Sequence, residues 1–210
     1  MIDLALLGGP FDSVFDVGSN LGDFAEAARA AWPDARITSF EAAHLLCDEQ
    51  RKRAAGRWWV ENVAVSDRRG MLTLHYCTNQ HTASTLQGQG TVRREQFGIV
   101  DRFVDIDAKA APLDDYLKHA DGRLLVKVDV EGHELGVLAG ALGVLNYAET
   151  VVIEVQNDPN IFLGSAPPER VDAELRRCGL SFAGLAGAFL GAGGRVLQYD
   201  AVYRRHLDTA

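Results

Sequence analysis

The first residues of this chain that could do chemistry lie in the run VFDVGSNLGDF, residues 14–24. An apolar strand ends here at Asp16, a glycine-containing turn follows, and a helical pattern begins after the turn. A second apolar strand at 36–40 is followed at once by Glu41. Such a turn lets the backbone approach a nucleotide-like molecule, and a carboxylate at the end of the second strand can accept hydrogen bonds from ribose hydroxyls. The pattern predicts a βαβ unit that binds a cofactor containing a nucleoside.

The sequence of the turn indicates which cofactor it binds. A dinucleotide-binding turn has the pattern G-x-G-x-x-G, whose middle glycine lets the backbone approach a pyrophosphate. Here the turn is GSNLG at 18–22, with Ser19 and Asn20 in its middle and no second close-approach glycine. This favours S-adenosyl-L-methionine, whose methionine end needs backbone and polar contacts, over NAD. Because Glu41 suits the ribose of either cofactor, an NAD-dependent oxidoreductase remains the alternative.

Length, net charge and cysteine content limit the domain organisation and the partners that this chain can have. A length of 210 residues fits one α/β domain over residues 1–210. The net charge of −8 does not favour binding to nucleic acid, which is also negatively charged. The three cysteines are scattered without a C-x-x-C pair, which suits a reducing cytoplasm. No segment approaches the apolar length of a membrane span and the start of the chain has no signal-peptide pattern, so we expect a cytoplasmic protein.

Strand-like and helical segments alternate along the chain. The predicted strands that could form one parallel sheet lie at 13–17, 36–40, 58–64, 124–130 and 150–155. The predicted helices lie at 24–31, 45–53, 112–118, 135–145 and from Pro168 to Cys178. A hairpin strand is predicted at 71–76, a long loop at 77–100, and a terminal β-hairpin within 180–204. This alternation predicts a doubly wound, mostly parallel sheet.

Polar residues follow the carboxyl ends of these predicted strands, where ligands bind in such sheets. At the end of the fourth strand lie Asp129, Glu131 and His133, and Glu154 lies near the end of the fifth. These four residues offer oxygen and nitrogen ligands that magnesium or manganese can accept. No ligand spacing fixes such a site, so a divalent metal is not favoured and no metal ligand is assigned.

Several motifs together resemble the FkbM family of S-adenosylmethionine-dependent methyltransferases. The motifs are VFDVGSNLGDF at 14–24, SFEA at 39–42, NVAVSDRRG at 62–70, PLDDYL at 112–117, VKVDVEGHELGVLAGA at 126–141 and VVIEVQ at 151–156. The resemblance implies a class I methyltransferase fold: a Rossmann-like, doubly wound, mostly parallel seven-stranded sheet with an antiparallel C-terminal strand. It also implies O-methylation of a hydroxyl on a sugar or a natural product.

The resemblance also implies roles for individual residues. Asp16, Gly18, Asn20 and Gly22 would cradle the methionine part of the cofactor, Glu41 would bind its ribose, Asn62 to Ala64 and Asp67 would lie near its adenine, and Asp129 would face both its amino-acid end and the acceptor. The complete expected cofactor set is Asp16, Gly18, Ser19, Asn20, Gly22, Glu41, Ala42, Asn62, Val63, Ala64, Asp67 and Asp129.

Methyl transfer to an alcohol needs a group that removes the proton of the hydroxyl as the C–O bond forms. Asp129, His133 and His81 are the candidates for this base. Only about a dozen residues precede the first strand, so a cap over the acceptor would be absent or built from residues 77–100. We therefore expect an O-methyltransferase for a small-molecule or glycoconjugate acceptor in natural-product biosynthesis. The second alternative is a non-catalytic cofactor-binding module that acts with a partner, and a homodimer would be unsurprising.

Overall fold

The computed structural model describes residues 2–89 and 102–205, and they build an α/β structure around one large sheet. In chain order, the described strands are β1 (Ser13–Val17), β2 (Arg36–Glu41), β3 (Trp59–Asn62), β4 (Ala64–Val65), β5 (Gly70–Cys77), β6 (Gly88–Gln89), β7 (Phe103–Ala111), β8 (Leu124–Val128), β9 (Thr150–Gln156), β10 (Phe162–Leu163), β11 (Leu180–Leu190) and β12 (Val196–Arg205). The large sheet has the order β11-β12-β9-β8-β1-β2-β3. Its central strands β1, β8 and β9 are buried along their whole length, as their mostly apolar sequences predict.

Strand directions confirm the expected fold class. Strand β1 runs parallel to β2 and to β8, with Ser13 opposite both Arg36 and Leu124. Strand β12 is antiparallel to both of its neighbours, β9 and β11, so the last strand is the one that runs against the rest. The predicted terminal hairpin within 180–204 is therefore present as β11 and β12.

Helices cover both faces of the large sheet. The described α-helices are α1 (Asp23–Ala31), α2 (His44–Ala54), α3 (Glu134–Ala139), α4 (Leu142–Tyr147) and α5 (Pro168–Arg177), and short 3-10 helices lie at Leu4–Leu7, His81–Ala83, Leu113–His119 and Ala192–Gly194. Side chains alternate across a strand, so Val14 belongs to the buried cluster that includes α1, while its neighbour Phe15 belongs to the cluster that includes α3 and α5. Within the described ranges, none of the helices combines the length and apolarity needed to cross a membrane.

The region after β3 differs from the sequence prediction. The predicted strand at 58–64 is divided, since β3 belongs to the large sheet and β4 to a three-stranded sheet of order β4-β7-β5. Strand β5 matches the predicted hairpin strand, but its antiparallel partner is β7, which the sequence analysis did not identify. The predicted loop at 77–100 contains a 3-10 turn and β6, which pairs with β10, and its remainder from residue 90 lies outside the described residues.

The predicted helix at 135–145 is two helices, and Gly140 lies between them, where the chain meets a neighbouring segment. A Cβ atom at Gly140 would lie 2.0 Å from the carbonyl oxygen of Ser66. Helix α4 then begins against Asp114, whose carboxylate oxygens accept from the backbone N–H groups of Gly143 (3.0 Å) and Val144 (2.8 Å). An acid from the 3-10 helix thus caps α4, which satisfies two amide groups that a helix start leaves without partners.

Candidate active site

A cavity of about 780 Å³ opens at the carboxyl ends of β1, β2, β8 and β9. This is the sheet edge at which open α/β folds bind ligands. Of the residues expected at the cofactor site, those that line the cavity are Gly18, Ser19, Asn20, Glu41, Ala42, Val63, Ala64 and Asp129. The structure therefore brings most of that predicted set together around one space.

Gly18 begins the turn after β1 and has to be glycine. Its backbone has φ +76°, and a Cβ atom there would lie 1.8 Å from the carbonyl oxygen of Asp129. The turn is also anchored to β2, since the N–H groups of Gly18 and Ser19 both donate to the carbonyl oxygen of Phe40, at 3.0 and 3.1 Å. The loops after three neighbouring strands therefore meet at this point without an intervening side chain.

Gln50, a residue of α2 that the sequence analysis did not single out, supports the same turn. Its side chain is fully buried, and its Oε1 accepts from the hydroxyl of Ser19 at 3.0 Å. A Cβ atom at Gly22, which has φ +84°, would lie 2.7 Å from Gln50 Nε2. The hydroxyl of Ser19 is thus directed toward the protein, although Ser19 lines the cavity.

Glu41 lies at the end of β2 and joins that strand to the glycine turn. Its Oε2 accepts from the backbone N–H of Asn20 and its Oε1 from that of Ala43, both at 2.8 Å. Burial raises the pKa of this carboxyl, against the effect of the two amide donors. A carboxylate oxygen can accept more than one hydrogen bond, so Glu41 keeps acceptor capacity toward the cavity that it lines.

Four residues of the expected cofactor set lie outside the lining of the cavity: Gly22, which lies against Gln50, and three residues that contact other protein groups. Asn62 donates from its amide to the backbone oxygens of Glu41 (2.9 Å) and Ala42 (3.0 Å), so it fixes the end of β2. Asp67 is exposed, and its Oδ1 accepts from the hydroxyl of Ser66 at 3.0 Å. Asp16 is fully buried beneath the turn.

Lys127 of β8 connects two of the expected site residues. Its Nζ lies 3.5 Å from Asp16 Oδ1 and 3.3 Å from Asp129 Oδ2, and it donates to the carbonyl oxygen of Gly18 at 3.1 Å. Burial works against the charged ammonium, but the carboxylates of Asp129 and Asp16 outweigh it and raise the pKa of Lys127. The one charged residue in the apolar run LLVKV was a signal in the sequence that this position has a special role.

The structure places the three candidates for the base in different surroundings. His133 does not line the cavity: its Nε2 lies 3.0 Å from the Ser66 hydroxyl and its Nδ1 lies 3.2 Å from Gln87 Nε2. Burial lowers the pKa of His133, so its neutral form is favoured. His81 does line the cavity, and its buried Nδ1 has no hydrogen-bond partner in the part of the chain that the structure describes. Asp129 and His81 are thus the two candidates that reach the cavity.

A group of carboxylates forms one wall of the cavity. Oxygen atoms of Asp129, Glu131 and Glu154 lie within 4.8 Å of one another. Both oxygens of Glu154 also accept amide hydrogen bonds, Oε2 from Gln156 Nε2 at 2.8 Å and Oε1 from Gln198 Nε2 at 2.6 Å. Burial, followed by the charges of Asp129 and Glu131, raises the pKa of Glu154 well above its usual range.

Glu134 lies just beyond this wall and stabilises the loop before α3. Its Oε1 accepts from the backbone N–H of Gly132 at 2.9 Å, and the side chain is buried. Burial raises the pKa of this carboxyl to about 7. Glu134 therefore holds its proton in the folded state over a pH range in which it ionises in the unfolded chain.

Glu134 should make the folded state less stable as pH rises. Between the unfolded pKa of 4.5 and the folded pKa of about 7, the folded state binds more protons, so the free energy of unfolding falls with pH, by ~3 kcal/mol at most. We expect Glu134→Gln to flatten this dependence in urea unfolding curves measured from pH 5 to pH 8. The exposed Glu49→Gln is the control, and curves for Glu134→Gln that stay parallel to wild type would contradict the expectation.

Comparisons with known proteins bear on this site. The family model described as "Methyltransferase FkbM domain" matches residues 16–182. A curated relative, 31-O-demethyl-FK506 methyltransferase FkbM from Streptomyces tacrolimicus, is 29% identical over 157 residues, which are 62% of this chain and 60% of the relative. The chain thus matches less than two thirds of the length of that relative.

Solved structures show the same fold. Aeropyrum pernix fibrillarin, described with natively bound S-adenosyl-L-methionine, is 13% identical, with a TM-score of 0.51 over 96% of this chain and 70% of the other. The precorrin-6y C5,15-methyltransferase of Geobacter metallireducens is 10% identical, with a TM-score of 0.50 over 96% and 85%. At such identities these likenesses concern the fold alone, which is that of class I methyltransferases.

Proposed function

Because this chain belongs to the FkbM methyltransferase family, we propose that it transfers a methyl group from S-adenosyl-L-methionine to a hydroxyl of a sugar, glycoconjugate or secondary metabolite. The observation that supports this most is the position of Glu41, a carboxylate on the wall of a 780 Å³ cavity beside the glycine turn. The O-methyl chemistry and the natural-product acceptor are supported by the name of the curated relative, 31-O-demethyl-FK506 methyltransferase, which matches over part of its length.

The residues at the cavity fit this cofactor. The absence of a side chain at Gly18 lets the turn backbone lie against Asp129, and both residues line the cavity in which an amino-acid end can bind. Glu41 offers oxygen acceptors for a ribose, and Val63 and Ala64 supply small apolar surface for an adenine ring. When bound, the cofactor supplies a methyl group that is already activated on a sulfonium.

The chain then has to align the acceptor, exclude water and accept a proton. Alignment and desolvation account for much of the rate in a displacement of this kind. Lys127 holds Asp129 in place through the contact of 3.3 Å between Nζ and Oδ2. We assign removal of the hydroxyl proton to a group on the cavity wall, for which Asp129 and His81 are the candidates.

Two alternatives predict different behaviour. An NAD-dependent oxidoreductase would bind NAD at the same turn, and the family match counts against it. A non-catalytic module would bind S-adenosylhomocysteine but turn over no acceptor. The proposed acceptor is a small molecule or glycoconjugate rather than a nucleic acid, in accord with the net charge of −8. The thiols of Cys47, Cys77 and Cys178 are buried and free, in accord with a reducing cytoplasm. The oligomeric state is a separate question, and a homodimer remains a prediction.

Isothermal titration with S-adenosylhomocysteine and, separately, with NAD tests the proposal. We expect the wild-type protein to bind S-adenosylhomocysteine and not NAD. Glu41→Gln should weaken this binding by 1.5–3 kcal/mol, about 10- to 100-fold, because a charge-assisted bond to the ribose is lost. Binding of NAD alone would overturn the function.

A double-mutant cycle separates a contact with the ribose from damage to the turn, since Glu41 also accepts from Asn20 and Ala43. The cycle compares S-adenosylhomocysteine with its 2′,3′-dideoxy analogue on wild type and Glu41→Gln. If Glu41 binds the diol, the substitution changes affinity for the natural ligand far more than for the analogue. Equal losses would assign Glu41 to the turn only.

A further inference from the structure

We propose that Asp129, Glu131 and Glu154 bind one divalent metal ion of the magnesium or manganese class at the wall of the cavity. One oxygen of each residue lies within 4.8 Å of the others. Opposite oxygen ligands around such an ion are about 4.2 Å apart, since each metal–oxygen distance is about 2.1 Å. Small side-chain rotations therefore suffice to bring the three oxygens to ligand distance.

The ligands come from two strand ends and are held there by the fold. Asp129 and Glu131 follow β8, and the backbone oxygen of Glu131 accepts from the hydroxyl of Thr85. Glu154 belongs to β9 and is about nine-tenths buried. Carboxylate oxygens with room for water are the ligands that magnesium and manganese prefer. His133, the nitrogen ligand considered from the sequence, is turned toward Ser66 and is not part of the group.

Two glutamine side chains next to Glu154 point independently to a ligand. Gln156 is 2% exposed, and its amide lies against the Glu154 carboxylate because Nε2 donates to Oε2. The buried Oε1 of the same amide has no hydrogen-bond partner among residues 2–89 and 102–205, and the same is true of Gln198 Oε1. Unpaired buried acceptors are costly, and turning either amide over would place its oxygen against the carboxylate.

Water molecules bound to a metal ion would satisfy these amide oxygens. Magnesium usually keeps several of its waters, which are strong hydrogen-bond donors. Asp200 lines the same cavity and lies opposite Glu154 in the pairing of β12 with β9, so it is a further acceptor for such waters. A hydrated metal ion at the three carboxylates would therefore account for the amide oxygens next to Glu154 that have no partner among the described residues.

The consequence for the reaction rests on the proposed function. A metal ion at this place lies in the cavity that Gly18 and Glu41 also line, so it can bind the acceptor hydroxyl and lower the pKa of that hydroxyl. The acceptor is then a molecule that offers oxygen ligands, such as a sugar diol or a hydroxy-ketone.

Titration of the full chain with Mn²⁺, followed by the electron paramagnetic resonance signal of the free ion, tests the site without any acceptor. We expect one Mn²⁺ per chain, displaced by Mg²⁺. Glu154→Gln and, separately, Glu131→Gln should each weaken binding at least 10-fold, because each removes a charged ligand at nearly constant volume. Glu49→Gln, which removes the same charge from the exposed surface of α2, should leave binding unchanged.

Titration of each variant with S-adenosylhomocysteine provides the check on folding and on the cofactor site. Retained binding of this ligand with lost Mn²⁺ binding supports the metal site. The metal site is overturned if wild type and both ligand variants bind Mn²⁺ with equal affinity. It is also overturned if the wild-type protein binds S-adenosylhomocysteine but not Mn²⁺. Failure of S-adenosylhomocysteine to bind wild type would instead contradict the proposed function, while the Mn²⁺ result still decides the metal site.

Discussion

Replacing Gly18 with alanine should abolish measurable binding of S-adenosylhomocysteine and lower the free energy of unfolding by about 2–5 kcal/mol. The backbone at φ +76° is unfavourable for any residue with a Cβ atom, and that atom would lie 1.8 Å from the carbonyl oxygen of Asp129. Because the clash is with backbone, relief requires the loops after β1 and β8 to separate. Those loops form the floor of the cavity, so stability and affinity should fall together in urea unfolding and calorimetric titration.

Gly56→Ala is the matched control for this prediction. Gly56 has φ +81°, close to that of Gly18, but a Cβ atom there would have nothing within 4 Å. The control therefore carries the backbone strain without the clash and should cost about 1–2 kcal/mol with no change in ligand affinity. Equal losses of stability in the two variants would show that the approach of Gly18 to Asp129 is not a tight contact.

Substitution of Asp129 by asparagine should reduce turnover by about 10²- to 10⁴-fold if Asp129 accepts the proton of the acceptor hydroxyl. Asparagine keeps the shape of the side chain, and Lys127 retains its contact with Asp16, so affinity for S-adenosylhomocysteine should change much less. The rate is measured with Mn²⁺ in excess, so that weaker metal binding alone does not lower it. Equal losses of rate and affinity would indicate a binding role instead.

The rates of two variants distinguish Asp129 from His81 as the base. If Asp129 is the base, His81→Gln keeps a turnover rate near that of wild type, whereas Asp129→Asn loses it. If instead His81→Gln loses the rate and Asp129→Asn keeps it, the proton goes to His81, and the assignment to Asp129 is wrong.

The order of the main elements could be predicted from local patterns. Apolar runs such as Leu124–Val128 are typical of buried parallel strands, and the glycine turn with Glu41 indicates a nucleoside site because its chemistry is local in sequence. The direction of the last strand came from the family resemblance, since alternation of apolar residues does not encode strand direction. The FkbM motifs likewise supplied the expectation of seven strands, which the large sheet confirms.

What could not be predicted depends on contacts between distant segments. The strict alternation of VDIDAKA at 104–110 is itself typical of a strand, but the pairing of β7 with β5 joins segments that are well separated in sequence and is not encoded locally. Gly140 is a local sign of a possible helix break, but its close approach to the carbonyl of Ser66 is not visible in the sequence. The same holds for side-chain direction: His133 lies two residues after Glu131 but faces Ser66, whereas Glu131 lines the cavity.

The pairing of β1 has a consequence for how the protein folds. Ser13 lies opposite Arg36 in a nearby strand but also opposite Leu124, far along the chain. Closing so long a loop costs entropy before its contacts are gained, so folding should be slow for a protein of this size and nascent chains should lack the pair until β8 has left the ribosome. Because Gly18 and Asp129 meet only when these strands join, a folding chain acquires its ligand site late, and the ligand can protect the finished protein without guiding its assembly.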